Sequence, residues 1–125
     1  MRLVVLMIEV EQPEGLSTRK LVLETARHNV ITAYTKDGGV DLLRRFRNVD
    51  VVVVHSELDD APFEQTIREI KEVRKNVAVI GVSPTGNRDM DGADYMISSH
   101  DPQTLLQLLA EKFEAAKSDD DDKPA

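Results

Sequence analysis

Several polar groups in this sequence follow directly on apolar runs able to hold them still. His55 and Ser56 follow Asp50 and the run Val51, Val52, Val53, Val54; Glu9 and Glu11 follow Leu3 to Ile8; Ser83 follows Val77 to Val82. Ser98 and Ser99 follow the shorter run Tyr95, Met96, Ile97. An imidazole that titrates near about 6.5 can act as a pH switch or ligate a metal, and carboxylates hold hard cations. A serine at the end of a run can also do no more than hydrogen-bond its own neighbourhood.

The elements that would position these groups are legible in the runs themselves. Four consecutive β-branched residues do not alternate with polar ones, so Val51 to Val54 read as a strand covered on both faces. Leu3 to Ile8 and Val77 to Val82 read the same way, and Asn29 to Ala33 and Tyr95 to Ile97 as shorter strands. Between them lie helical stripes. Phe63, Ile67, Ile70 and Val73 step by four, three and three. After the turn residues Lys36 to Gly39, Val40, Leu43 and Phe46 are expected to face inward. Ser17 or Thr18 can cap a first helix whose apolar side is expected to be Leu16, Leu21, Leu23 and Ala26. Asp101 and Pro102 make an N-cap and first-turn proline ahead of Leu105, Leu106, Leu108, Leu109 and Phe113. Only eight residues separate Ser83 from Gly92, with almost no apolar periodicity, so no full helix is expected there. Alternation of this kind makes a parallel sheet with helices on both faces, and ligands gather at the carboxyl ends of its strands.

A length of 125 residues suits one domain, expected over 1–115. Residues 116–125 form an acidic tail, expected to be disordered. Its Asp119 to Lys123 reads equally as a native acidic segment or as a protease-cleavage sequence of the kind placed in recombinant proteins. The formal charge is −7, and −4 without the four aspartates and one lysine of that segment, which argues against nucleic acid as a ligand. No cysteine is present, which fits a reducing cytoplasm and removes thiol chemistry. The opening apolar run stops at Glu9, too short to span a membrane and without a small-residue cleavage site. His28 and His100 read as surface residues. Arg44, Arg45 and Arg47 read as a solvated basic face, with the docking site of an acidic partner as the sharper alternative.

From Met1 to about Phe113 the chain resembles the receiver domain of two-component response regulators, the CheY-like type. The resemblance is carried by Asp50 with four apolar residues before His55, by Ser83, by Gly92, Ala93, Asp94 and Tyr95, and by Asp101 with Pro102. It implies an α/β fold with a five-stranded parallel sheet in the order 2-1-3-4-5, helices on both faces, and a fourth helix short or missing. In that family the third strand ends in a phosphoryl-accepting aspartate. Two adjacent acidic residues after the first strand hold Mg²⁺, a Thr or Ser follows the fourth strand, and a Lys follows the fifth. Those positions carry His55, Glu9 with Glu11 but no adjacent carboxylate pair, Ser83, and Ser98, with Ser99 in place of the usual proline. Tyr95 stands at or beside the family's switch aromatic.

Phosphoryl transfer to a carboxylate needs that carboxylate, a divalent cation on oxygen ligands and a fixed positive charge. A serine cannot supply an ammonium charge, and a neutral imidazole is a poor Mg²⁺ ligand. The sequence therefore predicts a divergent pseudo-receiver: a non-enzymatic module that signals by protein contact, without Mg²⁺ or another cofactor, with homodimerisation left open. His55 would fill the emptied pocket, hydrogen-bonded to Ser83 or Glu9. Its other readings are a pH switch, a metal ligand beside Glu9 and Asp59, or a phosphoacceptor. Glu9, Glu11, Asp59 and Asp60 are expected to form a solvated acidic rim, with a weak calcium or magnesium site as the alternative. A working phosphorelay receiver using Asp59 or Asp60, or a small-ligand domain of the same fold, are the rival functions. A cobalamin-type loop is disfavoured, because His55 follows the third strand and no glycine stands three residues after it.

Overall fold

The computed structural model describes residues 3–11, 18–85 and 89–114. In chain order the elements are β1 (Val4–Ile8), α1 (Thr18–Thr25), β2 (Asn29–Ala33), α2 (Lys36–Arg45), β3 (Val51–His55), α3 (Phe63–Val73), β4 (Ala78–Ser83), β5 (Tyr95–Ser98) and α4 (Pro102–Leu109), which runs into a π-helical turn over Ala110–Glu114. All strand pairs are parallel and the sheet order is β2-β1-β3-β4-β5, as the resemblance implied.

The valine run builds both layers of the core. Val52 and Val54 pack with Leu6, Ile8, Val40, Leu43, Phe63, Ile67 and Ile70 under α2 and α3. Val51 and Val53 pack on the opposite face with Leu3, Val5, Met7, Leu23, Leu105 and Leu109 under α1 and α4. Each fully buried valine gains about 1.5 kcal/mol or more on leaving water. An unbroken apolar run is needed because both faces of β3 are covered. Close approach also constrains α2, where a Cβ on Gly39 would lie 2.5 Å from Ile8 Cγ1. Thr35 caps α2 by accepting from Gly38 N at 2.9 Å, and Asp101 caps α4 by accepting from Thr104 N at 3.2 Å.

Among the described residues no helix forms between β4 and β5. The chain enters β5 through Asp91 and Gly92, both at positive φ (49° and 100°), and Ala93 is buried in the core beside them. Other expectations fail. Leu21 is 54 % exposed, because the inward face of α1 is the i, i+4 pair Arg19 and Leu23 rather than the leucines alone. Phe46 is 42 % exposed, since the helix ends at Arg45 and the backbone is extended at Phe46. His28 is buried, not superficial: its Nδ1 accepts from Leu3 N at 3.0 Å. The expected tail, 116–125, lies outside the described residues, as do Leu16 and Ser17.

Polar side chains tie the amino ends of the strands. Asp50 accepts from Val4 N at 2.7 Å, and Asp94 from Val79 N at 2.8 Å and Lys71 Nζ at 2.9 Å. Arg74 donates to the carbonyls of Val49, Leu43 and Phe46, each at 3.1 Å, taking up acceptors left open at the end of α2. Arg74→Ala should therefore lower stability by about 1–3 kcal/mol, and Arg74→Lys should recover less than half of it, because an ammonium cannot fork across three carbonyls. Urea unfolding midpoints measure both.

Candidate functional site

The carboxyl ends of β1, β3, β4 and β5 come together at one edge of the sheet, and Glu9, His55, Ser83 and Ser98 stand there. Glu9 extends β1 by one residue, its N–H bonded to Ala33 O at 2.9 Å. Its side chain is 1 % exposed, which overturns the expectation of a solvated rim at this position. A carboxylate removed from water must be paired. Its partner is Arg19 of α1, itself 8 % exposed. Arg19 Nε and Nη2 both reach Glu9 Oε1 at 2.7 Å. The other oxygen, Glu9 Oε2, is buried and has no hydrogen-bond partner among the described residues.

The same guanidinium donates from Nη1 to the carbonyl of Ser99 at 2.9 Å, a contact 80 residues away in the chain. Ser99 N in turn donates to Ser83 O at 2.7 Å. Arg19 thus links the end of β1 to the loop between β5 and α4, and that loop to the end of β4. The sequence analysis missed Arg19. The available signal was its place four residues before Leu23, on the stripe of α1 that turns inward.

His55 closes β3 and is buried. Its Nδ1 accepts from Glu57 N at 3.1 Å, rather than bonding Ser83 or Glu9 as expected. An accepting Nδ1 leaves the proton of the neutral ring on Nε2. Burial lowers the pKa of this histidine and the nearby Arg19 charge lowers it further, while Glu9 and Glu57 act in the opposite sense. Ser83 is buried, and Ser98 Oγ accepts from His100 N at 3.2 Å, within its own loop. Tyr95 is half-buried, its ring meeting Phe113 edge to face at 6.1 Å.

Glu11 and Asp59 are exposed, so the expected rim reduces to residues outside the pocket. Asp60 is also exposed but has a structural task, since its carboxylate accepts from Lys36 N at 2.8 Å and Asp37 N at 3.3 Å at the start of α2. Desolvation works against its charge, but those backbone bonds outweigh it and hold its pKa below the usual carboxylate value. Lys36 is pinned nearby between Asp37 at 2.7 Å and Glu69 at 2.9 Å.

No protein-family model matches the sequence, and no curated protein matches it. Solved structures do. The chain is similar to a CheY-like response regulator receiver domain from Methanospirillum hungatei, with a TM-score of 0.77 and 19 % identity over 95 % of this chain and 99 % of that one. A CheX–CheY complex with BeF3 and magnesium from Borrelia burgdorferi matches at 0.73 and 22 %, covering 89 % of each chain. The receiver domain of a Pseudomonas aeruginosa sensor histidine kinase, with a magnesium ion coordinated in its active-site cleft, matches at 0.71 and 16 % over 86 % of this chain and 96 % of that one. The protein has the CheY-like fold of response regulator receiver domains.

Two outcomes follow from this geometry. Arg19→Met strands a buried carboxylate and should cost about 3–5 kcal/mol, whereas adding Glu9→Gln to the same chain should return most of it by removing the unpaired charge; urea unfolding separates the two. His55 has a folded pKa below its unfolded value of about 6.5, so the unfolded chain takes up the proton first. Its contribution is complete above that value and is lost as pH falls towards the folded pKa. Between about pH 7.5 and 5 the parent chain should therefore lose stability more steeply than a His55→Gln variant, measured as the difference between their unfolding midpoints.

Proposed function

We propose that this chain is a receiver-type signalling module of the cytoplasm that acts through contact with protein partners and not through aspartyl phosphorylation. The observation that carries the reading is the Arg19 guanidinium seated on Glu9. In a phosphoryl-accepting site the carboxylates after the first strand would be free to hold a divalent cation. Here the one buried carboxylate is already neutralised by an internal cation.

The donor set suits Mg²⁺ poorly. That ion demands near-octahedral oxygen ligands. The pocket offers one carboxylate whose Oε1 is held by arginine, an imidazole whose Nδ1 is taken by Glu57 N, and Ser98, whose hydroxyl accepts within its own loop. The open Oε2 of Glu9 is a single oxygen, and a dication there would stand against the Arg19 charge. Among the described residues no three His, Cys, Asp or Glu side chains are placed to share a metal.

Nucleophilic chemistry is equally poorly served. His55 stands where a nucleophilic aspartate would, and no lysine follows β5 to balance a phosphoryl group. Asp60, a rival acceptor, is committed to the first turn of α2. The scaffold is otherwise complete enough to present helical faces to a partner. No helix among the described residues is long and apolar enough to cross a membrane.

The test is incubation of the full chain with acetyl phosphate, and separately with beryllofluoride, each with excess Mg²⁺. Intact-protein mass should stay unchanged, and the amide resonances of Glu9, His55 and Ser83 should not move. A stoichiometric phosphoryl adduct, or saturable shifts centred on His55, would refute the reading.

A further inference from the structure

We propose that the opposite end of the molecule, the groove between the carboxyl ends of α2 and α3, is the docking site for an acidic segment of a protein partner. The inference deepens the partner-binding reading and rests on it. The groove holds about 400 Å³ and is lined by Leu43, Arg44, Arg47, Val73 and Arg74. Its apolar surface comes from the half-buried Val73, Leu43 being fully buried beneath, and its charge from three guanidinium groups.

Those charges lack counterions. Arg45, one residue along, is paired with Asp41 at 3.0 Å, and Arg68 with Glu64 at 3.7 Å. None of Arg44, Arg47 and Arg74 has a carboxylate within ion-pair distance among the described residues. In a chain of 23 acidic and 16 basic side chains, three unpaired cations in one groove are the reverse of what composition favours. Arg74 is pinned by its three carbonyl bonds, so its charge is fixed in place, while Arg44 and Arg47 are exposed and free to close on a ligand. Phe46, whose carbonyl takes one of the Arg74 bonds, adds a side chain 42 % exposed to water. An aromatic ring beside arginines is the composition that contributes most at protein interfaces.

Charge complementarity selects an anionic ligand, and the shape selects a peptide. A nucleic-acid ligand would need a longer basic track, because each neutralised phosphate adds one cation contact and the whole protein is acidic. An extended peptide alternating carboxylates with apolar side chains meets the arginines together with Val73 and the neighbouring exposed ring of Phe46. Exposed ion pairs are individually weak and screened by salt, so such a complex would be transient and sensitive to ionic strength.

The probe is a peptide alternating glutamate with leucine, with its glutamine-for-glutamate counterpart and a short single-stranded oligonucleotide as controls, titrated into the isotope-labelled full chain. Saturable amide shifts should be confined to Leu43–Arg47 and Val73–Lys75. The double reversal Arg44→Glu, Arg47→Glu, at two exposed positions, should weaken binding at least tenfold while the amide spectrum stays that of the folded chain, the unfolding midpoint falling only by the loss of a basic residue from the last turn of α2. The glutamine peptide should not bind, and raising salt from about 0.01 M to about 1 M, which cuts the Debye length from about 30 to 3 Å, should abolish the shifts. Absence of saturable shifts in the groove, full affinity in the reversed variant, or equal binding of the oligonucleotide would each overturn the proposal. Because beryllofluoride reports at His55, at the far end of β3, failure here is distinct from failure of the phosphorylation-independent reading.

Discussion

The buried pair of Glu9 and Arg19 is the constraint on which the carboxyl edge of this sheet depends. Taking a carboxylate and a guanidinium out of water costs several kcal/mol per ion, and their attraction offsets this only when geometry and further hydrogen bonds are good. Arg19 meets that condition by using three donor nitrogens: two on one oxygen of Glu9 and one on the Ser99 carbonyl. The pair adds little net stability over an apolar substitute of similar volume. Its effect is on position, because it fixes α1 against β1 and against the loop that leads into α4.

That fixed arrangement bears on what the pocket can do. A site built for phosphoryl chemistry takes its positive charge from an exchangeable metal ion and a fixed ammonium group, both with room for a phosphoryl group beside them. Here a positive group belongs to the chain and is held on both sides. His55 is likewise held, accepting from Glu57 N, and its burial beside a cation lowers its pKa.

The two ends of the sheet differ in electrostatic character. At the carboxyl edge, cations are matched by acids: Arg19 by Glu9, and Lys36 by Asp37 and Glu69. At the amino edge, Asp50 accepts from a backbone N–H of β1, Asp94 is shared between Val79 N and Lys71 Nζ, and Arg74 spends its donors on carbonyls. Arg45 is paired with Asp41, but Arg44, Arg47 and Arg74 have no counterion among the described residues. Those three guanidinium groups are the positive charge that an anionic partner would meet at the amino edge.

The amino-acid sequence alone determined the layers and their order of appearance. Val51 to Val54, Leu3 to Ile8 and Val77 to Val82 are apolar on both strand faces, and their shortness and β-branched content favour a covered strand over a buried helix. The cap at Asp101 and Pro102, and the lack of periodicity between Ser83 and Gly92, were also legible, because capping and propensity act within a few residues. Tertiary structure decided which polar groups are buried and with what. Glu9 read as solvated and His28 as superficial, and Arg19 drew no notice, since each owes its burial to a partner distant in sequence: Arg19 for Glu9, Leu3 N for His28, Ser99 O for Arg19. Periodicity reports which face of an element is apolar. It does not report which charge will meet another across the end of a sheet, because that pairing exists only once the strands and helices have docked.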